Sequence, residues 1–146
     1  MIELQLAALV AATLFAGAAL YITLVEHPAR LRLADGPLLA QWQPSYKRAL
    51  PIQSGLAVIG GVAGLLAWFL SSQWQWLAGS TALLANWPFT LIVIMPVNKR
   101  LLAMQHRDAG SESRKMLVRW GSFHNVRSGL GVLAMLLFVW AVATAH

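Results

Sequence analysis

The sequence has no cysteine and only five acidic residues among its 146. Without a thiol the chain cannot form a disulfide, a thiolate nucleophile, a cysteine-ligated zinc site or a covalent haem attachment. It also lacks a phosphate-binding P-loop, the G-x-G-x-x-G turn of dinucleotide-binding folds and the G-x-S-x-G motif of serine hydrolases. The sequence therefore gives no support to an NTPase, a dinucleotide-dependent enzyme or a serine hydrolase.

Hydrophobic residues make up 58% of the chain and charged residues only 11%, with a mean hydropathy of +0.62. A helix needs about 20 apolar residues to cross about 30 Å of hydrocarbon. Four runs of that length predict an all-α fold, an integral membrane four-helix bundle that forms a single domain over residues 1–146. The predicted spans are residues 4–25, 50–70, 77–97 and 128–145.

All 11 lysines and arginines lie around the first-to-second and third-to-fourth span connections. By the positive-inside rule, we expect both basic segments in the cytoplasm and both termini on the non-cytoplasmic side. We attribute the basic charge to this topology and to contact with the lipid bilayer. No nucleic acid is an expected partner.

Two spans carry features that shape helix packing. Gly60 and Gly64 form a GxxxG spacing that offers a flat face to another helix and permits homo-oligomers without requiring them. Pro88 removes a backbone donor inside the third span, next to Asn86 and Thr90. These two polar side chains either patch the broken helix or form a polar opening in the bundle that binds substrate.

The fourth span begins with RWGSFHNVRSGLG, which carries charge where a membrane helix should be apolar. Helical spacing places Trp120, His124, Arg127 and Gly131 on one stripe that runs into the membrane. Charged side chains inside a span usually face the bundle and have partners there. We therefore expect this stripe to face the other helices.

Each of the four spans contributes polar residues at the same predicted depth, near the cytoplasmic helix ends. The candidate site residues are Glu26, His27, Arg48, Asn98, His124 and Arg127. Three interpretations remain open. Glu26 pairs with Arg127 or Arg48 and locks the bundle; or a histidine acts as base while arginine and asparagine stabilise an oxyanion; or His27 and His124 bind a metal or haem.

Three segments together resemble one known family. They are VEHPAR at residues 25–30, NWPFTLIVIMPVNKRLLA at residues 86–103 and RWGSFHNVRSGLG at residues 119–131. In order and spacing the chain resembles small four-span bacterial membrane proteins grouped with the fungal anthrone oxygenases. The most specific part is P-x-N at the end of the third span, followed by R-W-x-x-x-H-x-x-R.

This resemblance implies an oxygenase that inserts oxygen from O2 into an enolisable anthrone or quinone-like compound, with no flavin or haem. On that basis we expect His124 to remove a proton, Arg127 and Asn98 to stabilise the enolate, and Trp120 to form a wall for a flat ring. The expected partners are the bilayer and a small hydrophobic substrate, in a bacterial inner membrane. The alternative is a non-catalytic bundle that binds a metal, haem or small molecule, or that serves as a partner subunit.

Overall fold

The structure is a computed structural model that describes residues 1–144. This part of the chain is helical without a strand, and it has four helices long and apolar enough to span a membrane. They are α1 (Ile2–Arg30), α2 (Asp35–Ser71), α3 (Trp74–Ala103) and α4 (Ser111–Ala143). The all-helical four-span prediction is confirmed, whereas the sidedness of the termini stays a prediction. The predicted end of the last span at Ala145 lies outside the described residues.

The helices pack as an up-and-down bundle. In the ring of four, α1 packs on α2 and α4, and α3 packs on the same two helices. Short links explain this order, since antiparallel neighbours need only a few residues between them. Ser72 and Gln73 join α2 to α3, and Ser72 adopts the left-handed conformation that ends a helix. We call this end, which also holds the N-terminus, the terminal end, and the opposite end the loop end.

The helices extend beyond the apolar runs at the loop end. Asp35 begins α2, and Pro37 is tolerated in its first turn because that backbone nitrogen has no helical partner. Gln43 on α2 donates to the carbonyls of Leu101 and Met104 at 2.8 and 2.9 Å, which caps α3. Arg114 on α4 binds Asp35 at 2.5 Å. These contacts fix the loop end.

Two of the helices contain a widened π turn, each followed by a proline at the second position beyond it. The π turns are Ile22–Glu26 in α1 and Thr90–Ile94 in α3, and the prolines are Pro28 and Pro96. Proline cannot donate to the carbonyl four residues back, and a π turn shifts the bonding pattern by one residue. Both helices consequently continue past their prolines, α1 as far as Arg30.

The buried apolar side chains form two clusters, one toward each end. The terminal core includes Phe15, Trp76, Leu83 and Phe138. The loop core is built from residues of all four helices: Ile22, Leu38, Leu39, Trp42, Tyr46, Ile94, Leu101, Leu117 and Trp120. The GxxxG face lies inside the bundle, since Gly60 packs on Leu83 and Ala11 and Gly64 packs on Ser80 and Phe138.

Glycine allows α4 to approach α1 closely. A Cβ atom at Gly131 would lie 2.6 Å from Cδ1 of the fully buried Phe15 ring, whereas one at Gly129 would have no neighbour within 4 Å. We expect Gly131→Ala to lower the free energy of unfolding by about 1–3 kcal/mol because the core is overpacked. Gly129→Ala is the matched control and should leave the melting temperature unchanged or slightly higher. Equal melting temperatures for the two variants would contradict this packing.

Candidate active site

A layer of buried polar side chains lies between the two apolar cores. On each of three helices these residues fall between a member of the terminal core and a member of the loop core. The layer consists of Gln53 on α2, Asn86 and Thr90 on α3, and His124, Arg127 and Ser128 on α4. On α1 the buried facing residues are apolar, and the half-buried Thr23 hydroxyl is hydrogen-bonded to Ser128 at 2.8 Å.

Arg127 is the buried cation of this layer. It is 6% exposed, and its guanidinium lies over the ring of Phe15 with 5.8 Å from Cζ to the ring centroid. Within residues 1–144 no carboxylate lies at ion-pairing distance from it, and its Nε has no hydrogen-bond partner. Arg127 lies midway along α4, about 24 Å from either helix end at 1.5 Å per residue. Arg127 is therefore a buried cation midway along a spanning helix, with an aromatic face against it.

The second buried arginine, Arg30, has a carboxylate partner in the chain itself, although its Nε has no hydrogen-bond partner among the described residues. Its Nη2 lies 2.5 Å from Oε1 of Glu26. The same carboxylate oxygen accepts hydrogen bonds from Ser45 at 2.6 Å and from Gln41 at 3.1 Å. One sequence interpretation paired Glu26 with Arg127 or Arg48. That pairing was wrong, because Glu26 pairs with Arg30. Among the described residues, one buried arginine has a counter-ion and the other has none.

His124 lies next to Arg127 on the same face of α4. Its ring stacks on Trp120 with centroids 5.0 Å apart and planes 10° apart. Its Nε2 lies 3.3 Å from the carbonyl oxygen of Ala19. A hydrogen on Nε2 satisfies that carbonyl and leaves the lone pair on Nδ1, which has no partner among the described residues. In this tautomer, Nδ1 is the unpartnered acceptor of the His124 ring.

Asn98 and His27 support the neighbouring rings. The Asn98 amide donates to the Tyr46 hydroxyl at 2.8 Å, and Asn98 is fully buried. His27 packs against Trp120 with ring centroids 5.2 Å apart, and the missing side chain of Gly121 makes room for it. Trp120 therefore has His27 and His124 against it and is less free to serve as a wall for a flat ring.

Two spaces meet at Arg127. The larger is a cavity of about 120 Å³ lined by Leu50, Ser54, Ala57, Asn86, Trp87, Thr90, Leu91, Met95 and Arg127, which we call the lateral cavity. Trp87 and Leu91 are 42% and 53% exposed, so its mouth lies between α2 and α3 on the lipid-facing surface. The smaller, the inner space, measures about 20 Å³ and is lined mainly by polar and aromatic residues, including Arg30, Tyr46, Gln53, Trp120, His124 and Arg127. Leu50 and Arg127 line both.

Asn86 partly patches the break at Pro88 and also lines the cavity. Its amide nitrogen donates to the Leu83 carbonyl at 3.0 Å, while its Oδ1 has no partner in the described part of the chain. The Thr90 hydroxyl is likewise buried without a partner there. Asn86 and Thr90 were expected either to patch the broken helix or to form a polar opening in the bundle. The structure shows part of each arrangement.

A metal or haem does not fit these residues. Among residues 1–144 no three histidine, aspartate or glutamate side chains are grouped so as to hold a metal ion. His27 and His124 both pack on Trp120, and the inner space beside His124 is far too small for a porphyrin. The Glu26 carboxylate is engaged by Arg30, Ser45 and Gln41. No step is derived through such a group.

The structure brings some of the expected site residues together and separates others. Trp120, His124 and Arg127 line the inner space, and Asn86, Thr90 and Arg127 line the lateral cavity. Neither space is lined by Glu26, His27, Arg48 or Asn98. Arg48 is exposed and lines a separate outer groove. Asn98 does not line the inner space itself but is hydrogen-bonded to Tyr46, which does.

Arg30, Tyr46 and Gln53 line the inner space without having been singled out in the sequence. For Arg30 and Tyr46, the sequence did contain a signal, because each repeats a spacing that was noted elsewhere in the chain. Arg30 follows Pro28 at the spacing with which Asn98 follows Pro96, and Tyr46 follows Trp42 as His124 follows Trp120.

A known protein family matches most of the chain. A family model described as anthrone oxygenase matches residues 42–137, well over half of the chain. The chain belongs to the anthrone oxygenase family. No curated protein and no solved structure matches significantly. In this anthrone oxygenase family member the match contains every residue of the lateral cavity, whereas Glu26, His27 and Arg30 lie outside it.

The two buried arginines should respond in opposite ways to loss of charge. Arg30→Met leaves Glu26 without its cation, and we expect a loss of about 2 kcal/mol, measurable as a melting temperature several degrees lower in detergent. Arg127→Met removes a desolvated cation that has no carboxylate, so the ligand-free melting temperature should stay equal or rise. If Arg127→Met is the more destabilised protein, Arg127 is a structural residue and not a binding residue.

Proposed function

We infer that this protein is a membrane-embedded oxygenase that acts on a small hydrophobic aromatic compound of anthrone or quinone-like type. Family membership supports the oxygenase class. The observation that carries the inference is Arg127, a buried cation without a carboxylate partner in the described chain, at a cavity that opens toward lipid. A cation held ready in a low-dielectric site stabilises negative charge that develops on a substrate oxygen.

The chemistry divides between His124 and Arg127. His124 Nδ1 accepts a proton from an activated carbon, and the negative charge moves to the substrate oxygen, where Arg127 stabilises it as an enolate. The electron-rich carbon reacts with O2, and the peroxide that forms takes up the proton. Loss of water then leaves a carbonyl, so a CH2 group and O2 become a C=O group and H2O.

The remaining residues position these two groups. Asn98 holds the Tyr46 hydroxyl, which lines the same inner space as His124 and Arg127. Trp120 holds the His124 ring by stacking, and His27 and Arg30 pack on Trp120 in turn. Glu26 fixes Arg30. Asn86 and Thr90 offer hydrogen bonds to substrate in the lateral cavity, whereas nothing in the geometry gives Arg48 a role.

A non-catalytic bundle is the second candidate, either a small-molecule binder or a partner subunit. The inner space favours it, because about 20 Å³ beside His124 does not admit an aromatic ring without side-chain movement. Under this candidate the lateral cavity binds its ligand and no oxygen is consumed.

Oxygen uptake with anthrone separates the two candidates. The purified protein should consume O2 and form the quinone faster than the uncatalysed oxidation. Loss of a general base typically lowers a rate at least about 100-fold, and we expect that loss in His124→Gln. His106→Gln is the matched control, since His106 is an exposed histidine bonded to Gln43 at the loop end. A folded His124→Gln protein with the wild-type rate would remove the base from this mechanism.

We place the protein in a bacterial inner membrane, with both termini outside the cytoplasm, because basic residues concentrate at the loop end. The absence of cysteine makes a clean test possible. A cysteine at the exposed position Glu3 should react with an impermeant maleimide in intact spheroplasts, and one at Arg107 should react only after lysis. The reverse labelling pattern would refute this orientation.

A further inference from the structure

We propose that the lateral cavity binds the ionised form of a single-ring phenol that carries a second hydroxyl and an apolar tail, with the ring beside Arg127 and the tail in lipid. The ligand class is a lipid-soluble hydroquinone or resorcinol. This inference rests on the proposed function in one respect only, namely that the bound phenol is also the substrate of the oxygenase. Binding stands on the geometry of the cavity.

Charge gives the sign of the ligand. Arginine keeps its positive charge in proteins, and an intramembrane cation requires a partner. Arg30 shows that this bundle pairs a buried arginine with its own carboxylate, whereas Arg127 lines a cavity, lies over the Phe15 face and has no carboxylate partner among residues 1–144. An anion bound in the cavity supplies the missing partner.

Size limits the ligand to one buried ring. The cavity measures about 120 Å³, and an apolar cavity of roughly 150 Å³ accommodates benzene. A fused three-ring system would have one ring inside the cavity and the others at its mouth. Apart from Arg127, Ser54, Asn86 and Thr90, the lining residues are apolar, which suits an aromatic ring more than a small inorganic anion.

Hydrogen bonding requires a donor on the same ring. Asn86 Oδ1 can only accept, and it is buried without a partner in the described chain. The Thr90 hydroxyl is buried in the same way. A simple carboxylate offers no hydrogen to Asn86. A dihydroxy ring with one ionised oxygen satisfies Arg127 and Asn86 together.

The mouth of the cavity accounts for the tail. Trp87 and Leu91 line the cavity and are also exposed on the lipid-facing surface. They lie close to Pro88 and the π turn Thr90–Ile94, where α3 departs from regular helix. An apolar substituent on the ring passes between α2 and α3 into the hydrocarbon without displacing either helix.

Binding of 4-hexylresorcinol to the purified protein in lipid nanodiscs, measured by calorimetry, tests the proposal. The wild type should bind it at least about tenfold more tightly than Arg127→Gln, which corresponds to one charge-assisted hydrogen bond. Arg119→Gln is the matched control, because it removes an exposed arginine of α4 that packs on Phe123 away from the cavity. It should bind like the wild type.

Two further arms complete the test. The dimethyl ether of the same ring has the same tail but no charge or donor, and it should show only the partitioning seen with empty nanodiscs. Ser54→Leu fills the cavity from a half-buried position while Arg127 stays in place, and it should also abolish binding. This variant decides the matter if Arg127→Gln does not fold.

Wild-type affinity in Arg127→Gln or in Ser54→Leu would overturn the proposal, as would equally tight binding of decanoate, which marks a fatty-acid site. Tight resorcinol binding with no oxygen uptake from a tailed hydroquinone keeps the binding site and removes the oxygenase. Anthrone oxidation without resorcinol binding would keep the oxygenase and rule out the proposed binding site.

Discussion

An arginine in the middle of a spanning helix, with no carboxylate assigned to it in the described chain, is the constraint around which the candidate site is arranged. Transfer of that charge into hydrocarbon is unfavourable by a few kcal/mol on insertion scales. The surrounding residues reduce the penalty without neutralising the charge. Phe15 presents its ring to the guanidinium, and Gly131 lets α4 approach α1 closely enough for that contact. The side that faces α2 and α3 is left for the cavity.

The two hairpins of the bundle use the same construction. In each, a π turn precedes a proline, and a polar residue two positions later contacts α2, as Arg30 contacts Ser45 and Asn98 contacts Tyr46. Each following helix carries a stacked ring pair four residues apart. Both pairs have planes 10° apart, at 4.9 Å for Trp42 and Tyr46 and 5.0 Å for Trp120 and His124. The second hairpin has histidine where the first has tyrosine, so of the two ring pairs the one on α4 contains an imidazole.

Periodicity was enough to predict the fold and one face of α4. A repeat of 3.6 residues places Trp120, His124 and Arg127 on one side, and all three are buried while Val126 is exposed. The apolar runs gave the four helices for the same reason. Length and periodicity are local properties of a sequence, and they survive whatever the neighbouring helices do.

The partners of the polar residues could not be predicted in this way. A π turn adds a residue within one helical turn and rotates everything beyond it by about 100°. The turn at Ile22–Glu26 therefore changes the direction in which Arg30 points, and the turn at Thr90–Ile94 does the same for Asn98. Regular helices would have directed both side chains elsewhere. The paired prolines were visible, but their effect on helix phase was not.

Leu50 connects the two halves of the proposed chemistry. The lateral cavity is large enough for a ring, whereas His124, the proposed base, lines the inner space. Of the residues that line these two spaces, Leu50 and Arg127 line both. Leu50 is apolar, half-buried and packed against the loop core, whereas Arg127 lies over the Phe15 ring. Under the proposed mechanism, a change of rotamer at Leu50 would join the two spaces. A substrate whose ionised oxygen is bound by Arg127 would then reach His124 without leaving that cation.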